Sequence, residues 1–300
     1  MKVFTEKETP VQNLAFCAIV AALDGLLSLL GALLPFSAFV TMLIAPLLAS
    51  LVAYFCKKRY YAVYFFASLG VSLAVSFWNY QNTVFYLLPS LCAGLAYGFL
   101  LHLKAPFPLT NLAVALIQYA FFILSLYLVK ALCEVDMRDV LKSIFSLKDS
   151  SLLESAFPLL GLAYSFAVTG LSHLFFSLQA KQFGIEAKED NKHPWLYPSL
   201  ALTFASLSFA FGFAIPKIAY FCLGLTFYMA FAGFLSRFPF SCWLGWVTLG
   251  ITIFASILGF SFCYPKLEPE QGLLFLSFFP VSLSIATFVD VLLGKKNKPN

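Results

Sequence analysis

An all-α, polytopic membrane helical bundle is the fold class this sequence predicts, and three observations predict it. The 300 residues are 61% hydrophobic and only 11% charged, more apolar surface than a water-soluble chain of this length can bury. The apolar residues gather into about ten stretches, each near the ~20 residues a helix needs to cross a bilayer. Lys and Arg collect at the ends of those stretches, as in Lys57-Lys58-Arg59 and Lys295-Lys296, where they orient helices. The net charge of +5 is for that reason no nucleic-acid footprint. The 36 Phe residues suit broad lipid-facing surfaces.

The first stretch, 13–34, carries small residues near its start: Ala15, Ala18, Ala21, Ala22 and Gly25. Ala18 and Ala22 lie four apart on one helix face, where small side chains let another helix approach closely. Near the middle sits Asp24. A carboxylate there costs roughly 2.5–3.5 kcal/mol, so it requires a partner, a water-filled cavity or a proton. The stretch does not read as a signal peptide, because Lys2 and Lys7 alternate with Glu6 and Glu8 before it and further spans follow.

Pro35 and Phe36 turn the chain into the second span, 37–56, which Lys57-Lys58-Arg59 ends. The third is expected at 60–77. A short polar turn, Asn79 to Asn82, leads into a fourth at 84–103, and Lys104 to Pro108 is a break before the fifth at 111–132. The polar interval 133–154 follows. In it Met137, Val140, Leu141, Ile144 and Phe145 recur at three and four, the pattern of an amphipathic helix on the membrane surface. The sixth span is expected at 155–178, then a charged interval at 179–195, which is the best domain boundary. The remaining spans are expected at 196–214, 218–236, 241–263 and 272–293. Two domains result, residues 1–178 and residues 179–300.

With the N-terminus inside and ten spans, 13 of the 19 Lys and Arg residues fall on the inner side. The positive-inside rule then puts both termini in the cytoplasm of a multi-pass cell-membrane protein. Five spans precede the long outer interval and five follow it. An inverted repeat is one way to build that, although no residue-level repeat is visible.

No enzyme is expected. His102, His173 and His193 belong to different segments, and there is no HExxH, GxSxG or phosphate-binding glycine loop. The seven cysteines are scattered without a CxxC, so neither a metal site nor a disulfide framework is suggested, and no cofactor is implied. Asp24 is the strongest candidate: a proton or cation site, an anchor for a substrate's polar group, or a neutral acid bonded to a neighbouring helix. Gln118 and Tyr119, in the fifth span, are candidates for a ligand contact or for helix-to-helix bonding. Trp78, Asn79, Tyr80, Gln81 and Asn82, with Tyr86 beyond, put rings beside amides at the outer surface. They suit either an interfacial aromatic belt or the mouth of a binding cavity.

Several of these features together resemble a known group. Ala18 and Ala22 on the first helix, then Pro35, then Leu88-Pro89 and the segment from Gly94 to Gly98, are similar to the substrate-capture (S) components of energy-coupling factor transporters. The whole chain more closely resembles the YybS-like membrane proteins, a larger related branch. Gly184, the opening Pro194-Trp195-x-x-Pro198 and the late Asp290 before basic residues carry that likeness. The resemblance implies a six-helix binding bundle continued by a C-terminal extension. It also implies docking of Ala18 and Ala22 to a transmembrane T subunit with its ATPases, and uptake of a small nutrient. The other readings are an ion-coupled secondary transporter using Asp24 and a non-transporting membrane scaffold.

Overall fold

The computed structural model describes residues 6–34, 37–105, 107–136, 139, 150–183, 195–212, 214–237, 243–263 and 276–296. Within them lie ten α-helices: α1 (Pro10–Leu33), α2 (Ser37–Phe55), α3 (Tyr61–Val75), α4 (Tyr80–His102), α5 (Phe107–Cys133), α6 (Ser150–Phe183), α7 (Leu196–Gly212), α8 (Pro216–Arg237), α9 (Trp243–Cys263) and α10 (Phe278–Lys296). Short 3-10 turns at Lys58–Tyr60 and Phe77–Asn79 flank α3. Most of the expected amphipathic segment, and most of the interval 179–195, fall outside the described residues.

Ten apolar stretches give ten helices, but not ten full spans. Among the described residues, four helical segments are long and apolar enough to cross a membrane: Pro10–Leu33, Thr83–His102, Leu109–Cys133 and Pro216–Phe234. Val40–Phe55, Leu196–Gly212, Val247–Leu258 and Phe278–Leu292 are apolar but shorter. The third helix is the shortest among the described residues. It holds 15 residues, about 22 Å at 1.5 Å per residue, against a hydrocarbon core of about 30 Å. The supposed polar turn at 79–82 is also corrected, because α4 starts at Tyr80 and takes Gln81 and Asn82 into its first turn.

Polarity runs from inside to outside in the sense lipid requires. On α1 the buried stripe includes Asn13, Cys17, Asp24, Gly25 and Ser28, while Leu14, Ile19, Leu23, Leu26, Leu30 and Leu33 are exposed. Phe66 on α3 and Phe254 on α9 are 69% and 66% exposed. Water would penalise such an exterior and lipid does not. Buried Ser and Thr are accommodated mainly by bonding back to their own helix. Ser90 donates to the Tyr86 carbonyl at 2.7 Å, Thr169 to Ser165 at 2.8 Å, Thr226 to Cys222 at 2.9 Å and Thr287 to Leu283 at 2.6 Å.

The chain forms two compact units, residues 1–145 with 164–189, and residues 146–163 with 190–300. In the first, α1 packs on α2 and α3, α2 on α4, and α4 on α5. The tightest contact is at Gly94 and Gly98, where α4 meets the backbone of α2 at Pro46 and Ser50. Tyr97 and His173 join α4 to the C-terminal part of α6 through a hydroxyl–imidazole hydrogen bond. In the second unit, α7 packs on α8, and α10 on α7, α8 and α9. There Gly224 lies against Leu162, and Tyr220 and Leu223 form a small core with Leu159, Phe211 and Phe227.

One helix end carries strain that a substitution can relieve. After α4, Lys104 takes φ 54°, the left-handed conformation of a C-terminal cap. Its N–H bonds to the Leu101 carbonyl at 2.9 Å. A non-glycine residue held there costs about 1 kcal/mol. Lys104→Gly is expected to stabilise the fold by up to about that amount, read as a higher denaturant midpoint. An unchanged or lower midpoint would contradict it.

Candidate functional site

The site starts from two helices that run in the same direction. α2 reverses the chain after α1, and α3 reverses it again, so α1 and α3 lie parallel. Three contacts fix their register. The Cys17 thiol points at the Tyr60 carbonyl at 4.0 Å, and Asp24 meets both Tyr64 and Ser68 one and two turns further on. From Tyr60, just before α3, to Ser76, just after it, hydroxyl residues recur every four: Tyr60, Tyr64, Ser68, Ser72 and Ser76. Successive members of that series lie one turn apart on adjoining parts of one face.

Asp24 is fully buried. Its Oδ2 accepts hydrogen bonds from the Tyr64 hydroxyl at 2.6 Å and the Ser68 hydroxyl at 2.7 Å. Both donors are neutral, and Asp24 has no ion-pair partner among the described residues. Its other oxygen, Oδ1, has no hydrogen-bond partner. One turn along, the hydroxyls of Ser28 on α1 and Ser72 on α3 are buried and likewise unpartnered. The Tyr86 hydroxyl on α4, which interacts with Thr83, is pressed over Gly31, where a Cβ would come within 2.6 Å of it. Thr41 on α2 closes this end, donating to the Leu27 carbonyl at 3.0 Å. Gly25 allows the close approach, because a Cβ there would sit 2.7 Å from a Val71 methyl.

The other face of α1 behaves differently. Ala15, Ala18 and Ala22 are exposed, on the side turned from the polar stripe. At the start of α1, Asn13 is fully buried and fully bonded. Its Nδ2 donates to the Lys7 and Thr9 carbonyls at 2.9 and 2.8 Å, and its Oδ1 accepts from the Lys57 N–H at 2.9 Å. Asn13 thus ties the segment before α1 to the end of α2.

The expected aromatic group at the outer surface divides in two. Trp78 and Tyr80 are 50% and 39% exposed, and Asn79 is half-buried beside them. The Asn82 side chain lies outside the described residues. Tyr86, six residues into α4, faces inward onto α1 and so belongs with the Asp24 seam. Gln118 is buried on α5, which packs on α4. Its amide meets no full hydrogen-bond geometry, although the Tyr164 hydroxyl interacts with it. Sequence reasoning identified Asp24 but missed Tyr64, Ser68, Ser72 and Ser28. The signal for them was the four-residue recurrence of hydroxyls through an apolar stretch. No family model, curated protein or solved structure matches the chain.

Proposed function

We propose that the chain is an integral, multi-pass subunit of the cell membrane, with both termini cytoplasmic, that captures a small nutrient and hands it to a transmembrane partner driven by ATPases. The N-terminal bundle binds the substrate, and the helices after α6 form the accessory part. The chain itself carries no catalytic role. The observation that supports this reading is the two-faced character of α1. One stripe is buried against α2 and α3, while Ala18 and Ala22 stay exposed on the opposite side. In lipid, apolar helices gain little from hydrophobic exclusion, and close backbone contact across small residues supplies much of their association. An exposed alanine face on a helix already anchored by its other side therefore suits docking of a second membrane protein.

Ala18→Trp and Ala22→Trp test this directly. Both variants are expected to express and melt like the parent, because neither side chain enters the core. Each should reduce recovery of the partner by at least about tenfold in native co-purification, a loss of about 1.4 kcal/mol. A folded double variant that still recovers its full complement of partners refutes the docking reading.

An ion-coupled carrier is the second reading, favoured by the buried Asp24. It requires uptake by the chain alone in vesicles. Uptake only with the ATPase partner present favours the first.

A further inference from the structure

We propose that Asp24, Ser28 and Ser72, with the oxygens of Tyr64 and Ser68 behind them, form a binding site for a sodium ion between α1 and α3. The inference goes beyond capture and docking and uses none of the docking residues, so the two stand or fall separately.

Four observations carry it. The first is charge. A carboxylate buried in the apolar zone of a membrane helix is expensive without compensation. The only groups bonded to Asp24 among the described residues are two neutral hydroxyls. A single positive charge neutralises the seam, whereas a divalent ion would leave it with a net charge of the opposite sign.

The second is the set of unused oxygens. Most buried hydroxyls in this bundle return to their own helix carbonyls, as Ser90, Thr169, Thr226 and Thr287 do. Ser28 and Ser72 do not, and Asp24 Oδ1 is equally unpartnered. A buried polar atom left unmatched is destabilising, so three on adjoining turns of two packed helices require a reason.

The third is register. Asp24 and Ser68 face each other across the parallel pair and are 44 residues apart in sequence. Four residues further along each helix, Ser28 and Ser72 keep the same separation. They therefore lie at a similar height, one turn along from the carboxylate, and neither has a hydrogen-bond partner. A carboxylate oxygen and two buried hydroxyls without partners thus fall within one turn of each other on two packed helices. Oxygen-only donors of this kind suit hard cations.

The fourth is size. Gly25 brings Val71 so close that a single added methyl would overlap it. Closely packed helices leave less room for an ion between them, so sodium is proposed over the larger potassium.

The test uses the full chain purified in lipid nanodiscs, with sodium chloride, potassium chloride or choline chloride at fixed ionic strength. A ligand that binds only the folded state raises the melting temperature by mass action. The parent is expected to melt progressively higher as sodium rises, with saturation, and to respond little to potassium or choline. Asp24→Asn, which keeps shape but not charge, should lose the response. Ser28→Ala and Ser72→Ala guard against a misfolded Asp24 variant. In choline each should be at least as stable as the parent, because each removes an unpartnered hydroxyl. In sodium each should need about tenfold more ion for the same shift, the equivalent of one lost ligand at about 1.4 kcal/mol. Equal melting of the parent in all three salts overturns the site. So does a response of equal size to potassium, or a sodium response that survives in Asp24→Asn or is unchanged in both serine variants.

Discussion

Gly98→Leu is expected to abolish the folded first unit, and Gly98→Ala and Gly94→Ala to destabilise it by about 3 kcal/mol or more each. The cause is backbone against backbone. A Cβ on Gly98 would lie 2.2 Å from the Ser50 carbonyl oxygen and 2.8 Å from the Ala53 Cβ. On Gly94 it would lie 2.3 Å from the Pro46 carbonyl oxygen and 2.6 Å from the Ala49 Cβ. None of these is the loose end of a side chain that can rotate away. Relief requires α4 to withdraw from α2 along its length, which opens the core around Ala45, Ala49, Val52, Leu87 and Leu91. Gly70 provides the control. It lies in α3 with nothing near its missing Cβ. Gly70→Ala should be neutral or stabilising by up to about 1 kcal/mol, because alanine favours the helix. Urea unfolding followed by circular dichroism separates the cases, and a wild-type midpoint for Gly98→Ala would show that the two helices tolerate separation.

Asn13→Ala is expected to cost about 1–3 kcal/mol, by removing three part-buried side-chain-to-backbone hydrogen bonds at once. The Lys57 N–H loses its acceptor, and the Lys7 and Thr9 carbonyls lose a donor. The remaining ties are the Lys7 N–H to the Phe55 carbonyl at 2.9 Å and the Lys57 ammonium to the Glu8 carbonyl at 2.9 Å. Neither reaches into the core. Asn13→Asp should fail as well, because it keeps the acceptor for Lys57 but turns a carboxylate oxygen towards the two carbonyls. The measurement is the thermal midpoint together with the rate of proteolytic cleavage ahead of Pro10. Unchanged values for Asn13→Ala would mean that the helix cap at Thr9 holds this segment by itself. That cap is a reciprocal pair, in which Thr9 accepts from the Gln12 N–H at 3.3 Å and Gln12 accepts from the Thr9 N–H at 3.3 Å.

The candidate site was partly legible before the fold was known. Asp24 stands out in any apolar stretch, because a charge in lipid is costly wherever it falls. Its partners do not stand out. Serine and tyrosine are ordinary in membrane helices, and only their four-residue recurrence from Tyr60 to Ser76 marks a face. The grouping of Tyr86 with Trp78 and Tyr80 illustrates the same limit. It treated 79–82 as a turn, and once α4 starts at Tyr80 the ring at position 86 points into the bundle. Asn13 was read as the first residue of an apolar stretch. Its importance comes from Lys57, 44 residues away.

What the sequence by itself determined is the all-helical, apolar class, the approximate positions of the ten helices among the described residues, the small-residue face of α1 and the presence of an acid in an apolar stretch. All of these follow from hydropathy and helical period, which are properties of neighbouring residues. The tertiary structure alone decided that α1 and α3 run parallel in a register that joins Asp24 to Tyr64 and Ser68. It also decided that Ser28 and Ser72 are buried without hydrogen-bond partners and that Ala18 and Ala22 remain uncovered. Those outcomes depend on which helix packs on which, and at what height. In a membrane bundle that choice is made by close fits such as Gly25 on Val71 and Gly98 on Ser50, between segments far apart in the chain.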